Sequence, residues 1–350
     1  VRSPPGAAVG VASGKASGRF WYVGSIASCQ AITPCQGRDL SFINARLPLW
    51  SPICLWRRPI VGRNRRFQYS ALNIVTQPHS PDGYVALFRA LYALRRAVAV
   101  RGSQHLMIGE LERVDRDDPL RGFTGRIYRF DQIDPGAPWF NVESKEEASE
   151  EELAEIRIPE ALKPNLVKFN FVFYPQGHQF YFESMATGST LSEGSMRKFF
   201  VTICAVPSIM EQFGPVDITV VPEHEQLARI LSLPSLSKLV IDLRRPNADD
   251  QADDERVVLE RLQRMKTRRL VETLTAERGE TIEPDEQVRV LARVAAKNGS
   301  VSGTGYRADG GRVEESTEDR PWRQTVLYDE AVALPLDVLV TETQSRHAED

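Results

Sequence analysis

The stretch Val167–Ser184, VKFNFVFYPQGHQFYFES, constrains this chain more than any other. Apolar residues alternate on both sides of a Pro-Gln-Gly turn, and Val167, Phe169, Phe171 and Phe173 share one face of the first strand while Lys168 and Asn170 point the other way. A hairpin with so aromatic a face has to be covered by another layer. The next segments supply one. After Ser192 comes an amphipathic run with Phe199, Phe200, Ile203 and Cys204, which Pro207 ends or kinks. VDITVV follows, then a helix opened by Pro222 and Glu223, then KLVIDLRRPN and the acidic ADD. Strand, strand, helix, strand, helix, strand is the order of an α+β layer.

Upstream, FQYSALNIVTQ reads as a strand. Ser80-Pro81-Asp82 opens a helix whose apolar residues run from Tyr84 to Val98 and which Gly102 ends. HLMIGELERVDRD and GFTGRIYRFDQ read as two further strands, giving the first three-quarters of a ferredoxin-like motif. An acidic helix is expected over roughly 144–156. Past the ADD cluster, Asp253 caps a helix with Val258, Leu262 and Met265 on its core face, and Pro284-Asp285 opens another that ends at Asn298-Gly299. The expected class is α+β, with mixed sheets built from ferredoxin-like βαββ and ββαβαβ units and helices mainly on one face. The expected division is a ferredoxin-like unit at 67–165, an α/β core unit at 166–330 packed against it, and a C-terminal tail at 331–350.

Residues 1–66 differ in texture. They carry nine Arg and one Lys against a single acid, Asp39, so the remainder of a chain with net charge −3 holds −12. Gly, Ala, Ser and Pro dominate without apolar periodicity, which predicts a disordered basic extension. A nucleic-acid-binding arm, a targeting peptide and upstream sequence foreign to the fold all suit that composition. The acidic body argues against strong non-specific nucleic-acid binding but leaves room for a local basic patch. No run reaches the ~18–20 apolar residues that span a bilayer, so no membrane partner is expected. Cys29, Cys35, Cys54 and Cys204 form no CxxC pair, and a reducing, cytoplasmic compartment suits them. Walker, HExxH and GxSxG signatures are absent.

If helices cover only the apolar face, Lys168, Asn170, Asp217, Thr219 and Asp242 project from the other and form a working surface, a merely wetted one, or one covered by another layer with each polar group satisfied locally. Arg95, Arg96, Arg264, Arg268 and Arg269 are candidate phosphate contacts. The same residues suit solvated helix faces and a favoured charge at a helix C-terminus. The sharpest chemical candidate is IDLRRPNADD. There Asp242, Asp249 and Asp250, approached by His178 and Glu183, would bind Mg2+ for phosphoester hydrolysis. The simpler reading of PNADD, and the favoured one, is a turn with local backbone bonds that caps the next helix.

The segments SALNI, TGRIYRF, VDITV, PNADD, AKNGSV and STEDRPW resemble a bacterial family catalogued as a domain of unknown function, over roughly Phe67 to Glu330. That resemblance implies a bacterial cytosolic protein and assigns no catalytic residue. At fold level the chain is also similar to ferredoxin-like RNA-processing proteins of CRISPR systems. NGSVSGTGYRADGG echoes their C-terminal Gly-rich signature only loosely, which leaves activity unassigned. The leading expectation is a non-enzymatic factor that binds nucleic acid or a protein partner, in phage defence or on a mobile element, with no cofactor. A metal-dependent phosphoesterase and a structural interaction module are the alternatives.

Overall fold

The structure is a computed structural model that describes residues 64–246, 253–307 and 309–349. A nine-stranded antiparallel sheet forms its frame, and the first strand, β1 (Asn64–Thr76), lies in its interior with partners on both edges. The chain then runs through α1 (Pro81–Ala93), β2 (Val98–Arg101), β3 (Gln104–Arg113) and β4 (Phe123–Asp131). An excursion follows, made of the small hairpin β5 (Phe140–Asn141) and β6 (Glu146–Glu147) and the short helix α2 (Glu150–Glu155). The hairpin β7 (Val167–Tyr174) and β8 (Gln179–Ala186) re-enters the sheet, followed by β9 (Ser189–Thr190), α3 (Glu193–Cys204), α4 (Pro207–Phe213) and β10 (Val216–Val220).

The strand order is β10-β1-β8-β7-β4-β3-β2. Taken alone, β1, α1, β7, β8, α3 and β10 make a split βαββαβ unit, with β8 inserted between β1 and β7 and β10 on the outer side of β1. The ferredoxin-like motif is therefore completed by the Val167–Ser184 hairpin. β2–β4, expected as its continuation, extend the sheet beyond β7. The boundary expected at residue 165 falls inside this sheet, because β4 and β7 pair from Phe123↔Phe173 to Arg129↔Val167. Among the described residues every strand pair is antiparallel, where a mixed sheet was expected.

Local signals explain the helices. Ser80 Oγ accepts from the Gly83 amide and Pro81 occupies the first turn of α1. That helix stops at Ala93 rather than Gly102. Arg95 adopts φ 47°, and Val98 and Val100 then alternate inward along β2. Pro207 divides α3 from α4. Phe88, Phe173, Phe180 and Phe200 meet under α1 and α3, with Phe88 and Phe173 stacked at 3.8 Å between centroids.

A second, four-stranded sheet is inserted between β10 and the returning strand. It contains α5 (Gln226–Leu231), β11 (Ser235–Arg244), α6 (Asp253–Arg264), β12 (Arg269–Thr275), α7 (Glu286–Asn298), β13 (Gly299–Tyr306) and β14 (Arg312–Ser316), in the order β12-β11-β13-β14. α5 begins at Gln226, not at Pro222, because Pro222 bridges Pro321 and the Glu223 amide donates to the Arg320 carbonyl. Leu239, Ile241, Leu243 and Val301 face Val258, Leu262, Leu291 and Ala295 in its core, while Met265 lies in the exposed turn after α6.

Finally β15 (Arg323–Asp329) pairs with the first half of β1, beside β10 on the second half. The expected C-terminal tail is instead the helix α8 (Pro335–Glu349). Its Leu339 is fully buried against Phe67, Tyr69, Val172, Tyr174 and Tyr181, on the face of the large sheet opposite α1 and α3. Thr343 shares a hydrogen bond with Tyr174, and Arg346 lies 4.0 Å over the Trp322 ring. Helices thus cover both faces.

Candidate functional site: an arginine-walled cleft at the seam of the two sheets

β10 sends Ile218 and Val220 into the main core, so Asp217 and Thr219 emerge on the opposite face. There the end of α7 closes in. Asn73, paired with Thr219, donates to the Lys297 carbonyl at 3.3 Å, and Asp217 and Thr219 are each only 4% exposed. A carboxylate at such depth needs partners. Asp217 accepts from Arg244 at 2.5 Å and from Arg268 at 2.9 Å, both carried by the second sheet.

The register of that sheet accounts for the geometry. Arg244 ends β11 directly opposite Arg269, which opens β12, and the Arg245 amide bonds the Arg268 carbonyl to close the corner. Like charges facing each other across a ladder destabilise it. Here each finds a carboxylate: Asp217 for Arg244, and Asp242 for Arg269 through two bonds of 2.7 Å. Those bonds and the Asp242 charge raise the Arg269 pKa above its ordinary value. Asp217, Arg244, Arg268 and Arg269 wall a cleft of about 280 Å³. Three guanidiniums face two carboxylates there, with Arg264 exposed at the end of α6 and Lys266 exposed in the turn that follows it.

The sequence-derived candidates separate into four places. Asp217, Asp242, Arg268 and Arg269 do come together, with Arg264 close by in sequence. Arg95 and Arg96 precede β2, at the far edge of the large sheet, about six strand spacings or ~29 Å from β10. They share no patch with the cleft. His178 is buried at the hairpin turn, stacked on Tyr84 and edge-on to His79, on the α1 side. Glu183 lies on the opposite face and accepts from the Asn170 amide at 3.1 Å and its side chain at 2.6 Å. His178 and Glu183 therefore serve different faces of the large sheet, whereas Asp242 stands on β11 in the second one. Both Asp242 oxygens engage Arg269, and among the described residues no three His, Cys, Asp or Glu side chains gather as a metal-ligand set. Asp249 and Asp250 lie outside the described residues.

The expected single polar surface is likewise divided. Lys168 and Asn170 belong to a network on the large sheet in which Arg126 bonds both Glu110, at 2.6 Å, and Asn170, at 3.3 Å, while Tyr128 bonds Glu110 at 2.5 Å. Burial would raise the Glu110 pKa, but the bonds from Tyr128 and Arg126 prevail and lower it. Glu183 shows the reverse. Burial dominates its surroundings and raises its pKa against the Asn170 bonds and the Arg126 charge. Thr219 is covered by the second sheet, and Asp242 belongs to that sheet. Burial pushes the Cys204 thiol up to about 12, in keeping with a core residue. Sequence reasoning passed over Arg244, although it stands two residues from Asp242 in IDLRRPN.

Fold and cleft together define an α+β protein with a split-βαβ core, a second antiparallel sheet and an arginine-walled cleft where the two meet. The chain belongs to the family described as Domain of unknown function (DUF4747), whose model matches residues 65–343. No curated protein matches the chain. Among the described residues, no helix is long and apolar enough to cross a membrane.

Proposed function

We propose that this protein binds single-stranded nucleic acid, gripping the phosphate backbone at the cleft walled by Arg244, Arg268 and Arg269. The observation that carries this reading is the cluster itself: three guanidiniums held in fixed positions by two carboxylates, with the Arg268 and Arg269 side chains still 45% and 57% exposed. Guanidinium groups match phosphate oxygens in geometry and are weakly hydrated, so a pre-oriented set binds a phosphodiester at low entropic cost. Beyond the cleft, the face of the second sheet turned away from its helices continues the surface. Its rows, read from the register, place Ser300 beside Asp242, Ser302 and Ser316 beside Val240, and Thr304 beside Lys238. Tyr306, 46% exposed, ends the face with a ring on which a base can stack.

Fluorescence anisotropy of a labelled single-stranded RNA, titrated at several salt concentrations, tests this reading. Two or three phosphate contacts predict a slope of log K against log salt of roughly −1.4 to −2.1 from this site. Arg268→Gln/Arg269→Gln in the full chain is expected to weaken binding and to make the slope shallower by about 1.4. An affinity and slope untouched by that pair of substitutions would overturn the proposal, because the basic N-terminal residues would then account for any binding.

A further inference from the structure

A second concavity lies at the other end of the molecule and shares no residue with the arginine cleft. It is a groove of about 680 Å³ between the β2–β3 turn, the end of β4 and the excursion that precedes β7. That volume is in the range of small-ligand sites. Ser103, His105, Asp131, Pro138, Trp139 and Pro164 are among the residues that line it. We infer that this groove is a binding site for a guanine base, stacked on Trp139 and read by the Asp131 carboxylate.

Asp131 is a held acceptor. Ser103 Oγ donates to its Oδ1 at 3.0 Å, Asn165 Nδ2 donates to its Oδ2 at 2.7 Å, and its own amide bonds the Pro164 carbonyl at 3.0 Å. A carboxylate accepts about four hydrogen bonds, so each oxygen retains an acceptor position after these contacts. The support is itself built for rigidity. The Gln132 amide bonds the Ser103 carbonyl, His105 Nδ1 contacts the same carbonyl at 2.9 Å, and Asn165 is held at φ 59°. No charged group of opposite sign pairs with Asp131 among the described residues.

The stacking surface is Trp139. It is half-buried, and among the described residues its ring makes no aromatic contact, whereas the rings of the core pack on one another. Pro138 and Pro164 add flat apolar walls. An aromatic platform beside a fixed carboxylate suits a planar ligand that offers two adjacent donors. Among the four RNA bases, guanine alone does so, through N1–H and the 2-amino group on its Watson–Crick edge. The phosphate is served separately. Arg101 and Lys163 precede the lining residues Gly102 and Pro164, and neither enters an ion pair among the described residues. Two cations adjacent in sequence to the groove suit the phosphate of a guanine nucleotide whose base the anion reads.

The inference does not depend on the arginine cleft, and its test leaves Arg268 and Arg269 in place. Calorimetric titration of the full chain compares GMP with AMP, CMP and UMP, and a uridine run holding one guanosine with the same run holding one adenosine. GMP binding at least tenfold tighter than AMP supports a base site open to the free nucleotide. Preference confined to the guanosine-containing strand supports the same site with the strand as its source. Asp131→Asn replaces one acceptor with a donor. It is expected to cost roughly ten- to hundredfold for GMP and to favour xanthosine monophosphate, whose C2 carbonyl accepts where guanine donates. Trp139→Ala is expected to weaken GMP about tenfold or more while Trp139→Phe retains binding. Thermal unfolding of each variant shows that it is folded. No guanine preference in either format, an unmoved GMP affinity in Asp131→Asn, or tighter binding of agmatine than of GMP would each overturn the assignment.

Discussion

Replacing Asp217 by Asn should move stability and nucleic-acid affinity in opposite directions. The carboxylate is 4% exposed and accepts from Arg244 at 2.5 Å and Arg268 at 2.9 Å. Hydrogen bonds to charged groups contribute about 1.5–3 kcal/mol each. The two arginine side chains keep 29% and 45% of their exposure, so solvent recovers part of that loss. A net destabilisation of about 2–3 kcal/mol follows, or roughly 4–10 °C in Tm for a body of this size. The same substitution removes one negative charge from the cleft. At ~7 Å from a bound phosphate, with an effective dielectric between about 20 and 80, that charge is worth about 0.6–2.4 kcal/mol before salt screening. Affinity for single-stranded RNA should therefore rise about three- to tenfold at low salt. Urea melts give the first quantity and anisotropy the second. A stability loss below about 0.5 kcal/mol, or an affinity that falls, would refute the account of Asp217 as an internal counter-ion of a phosphate site.

Two further perturbations probe other parts of the structure. Leu339→Ala empties a fully buried position under α8 and should cost about 2–5 kcal/mol in a urea melt; a surface-like change would show that α8 is not part of the folded body. Glu183 has its pKa raised by burial above the ordinary 4.5, so its favourable contribution is complete below that pH and is lost as pH rises through the folded value. Glu183→Gln should then be at least as stable as the parent at pH 7, with the advantage vanishing near pH 4, and a variant destabilised only at neutral pH would contradict the sign.

The main sheet was largely legible because its signal is local. Alternation at Val167, Phe169, Phe171 and Phe173 and the Ser80-Pro81 helix start concern neighbours in sequence, and each appears where the pattern puts it. The covering of the second face was less so. Val172 and Tyr174 follow Lys168 and Asn170 on that face, and two apolar residues at its far end are a faint sign that something lies over them. What lies there is α8, whose few apolar contacts produce little periodicity. Strand order was not legible either, since βαββ has the same grammar whether β3 or β8 comes to lie beside β1. The cleft depends on Asp217 meeting Arg244 and Arg268, 27 and 51 residues away and in another sheet. No spacing rule reaches that far. PNADD attracted notice because its acids are adjacent, yet the carboxylate with the most consequential partners stands alone in VDITVV.

The position of β1 bears on how the molecule is made. The first strand of the fold lies inside the large sheet, and one of its three partners, β15, is among the last elements to be synthesised. Gln68 bonds Thr325, 257 residues later, and Ser70 donates to the Trp322 carbonyl. At translation rates of about 5–20 residues per second, the first half of β1 waits roughly 13–50 s for its β15 partner, with Phe67 and Tyr69 still uncovered by α8. α1 can form at once from its own cap, but the sheet cannot close until β15 emerges. Such a chain completes the edge of its first strand late, so holding chaperones and synonymous-codon pauses downstream of β8 should govern its yield more strongly than its final stability does.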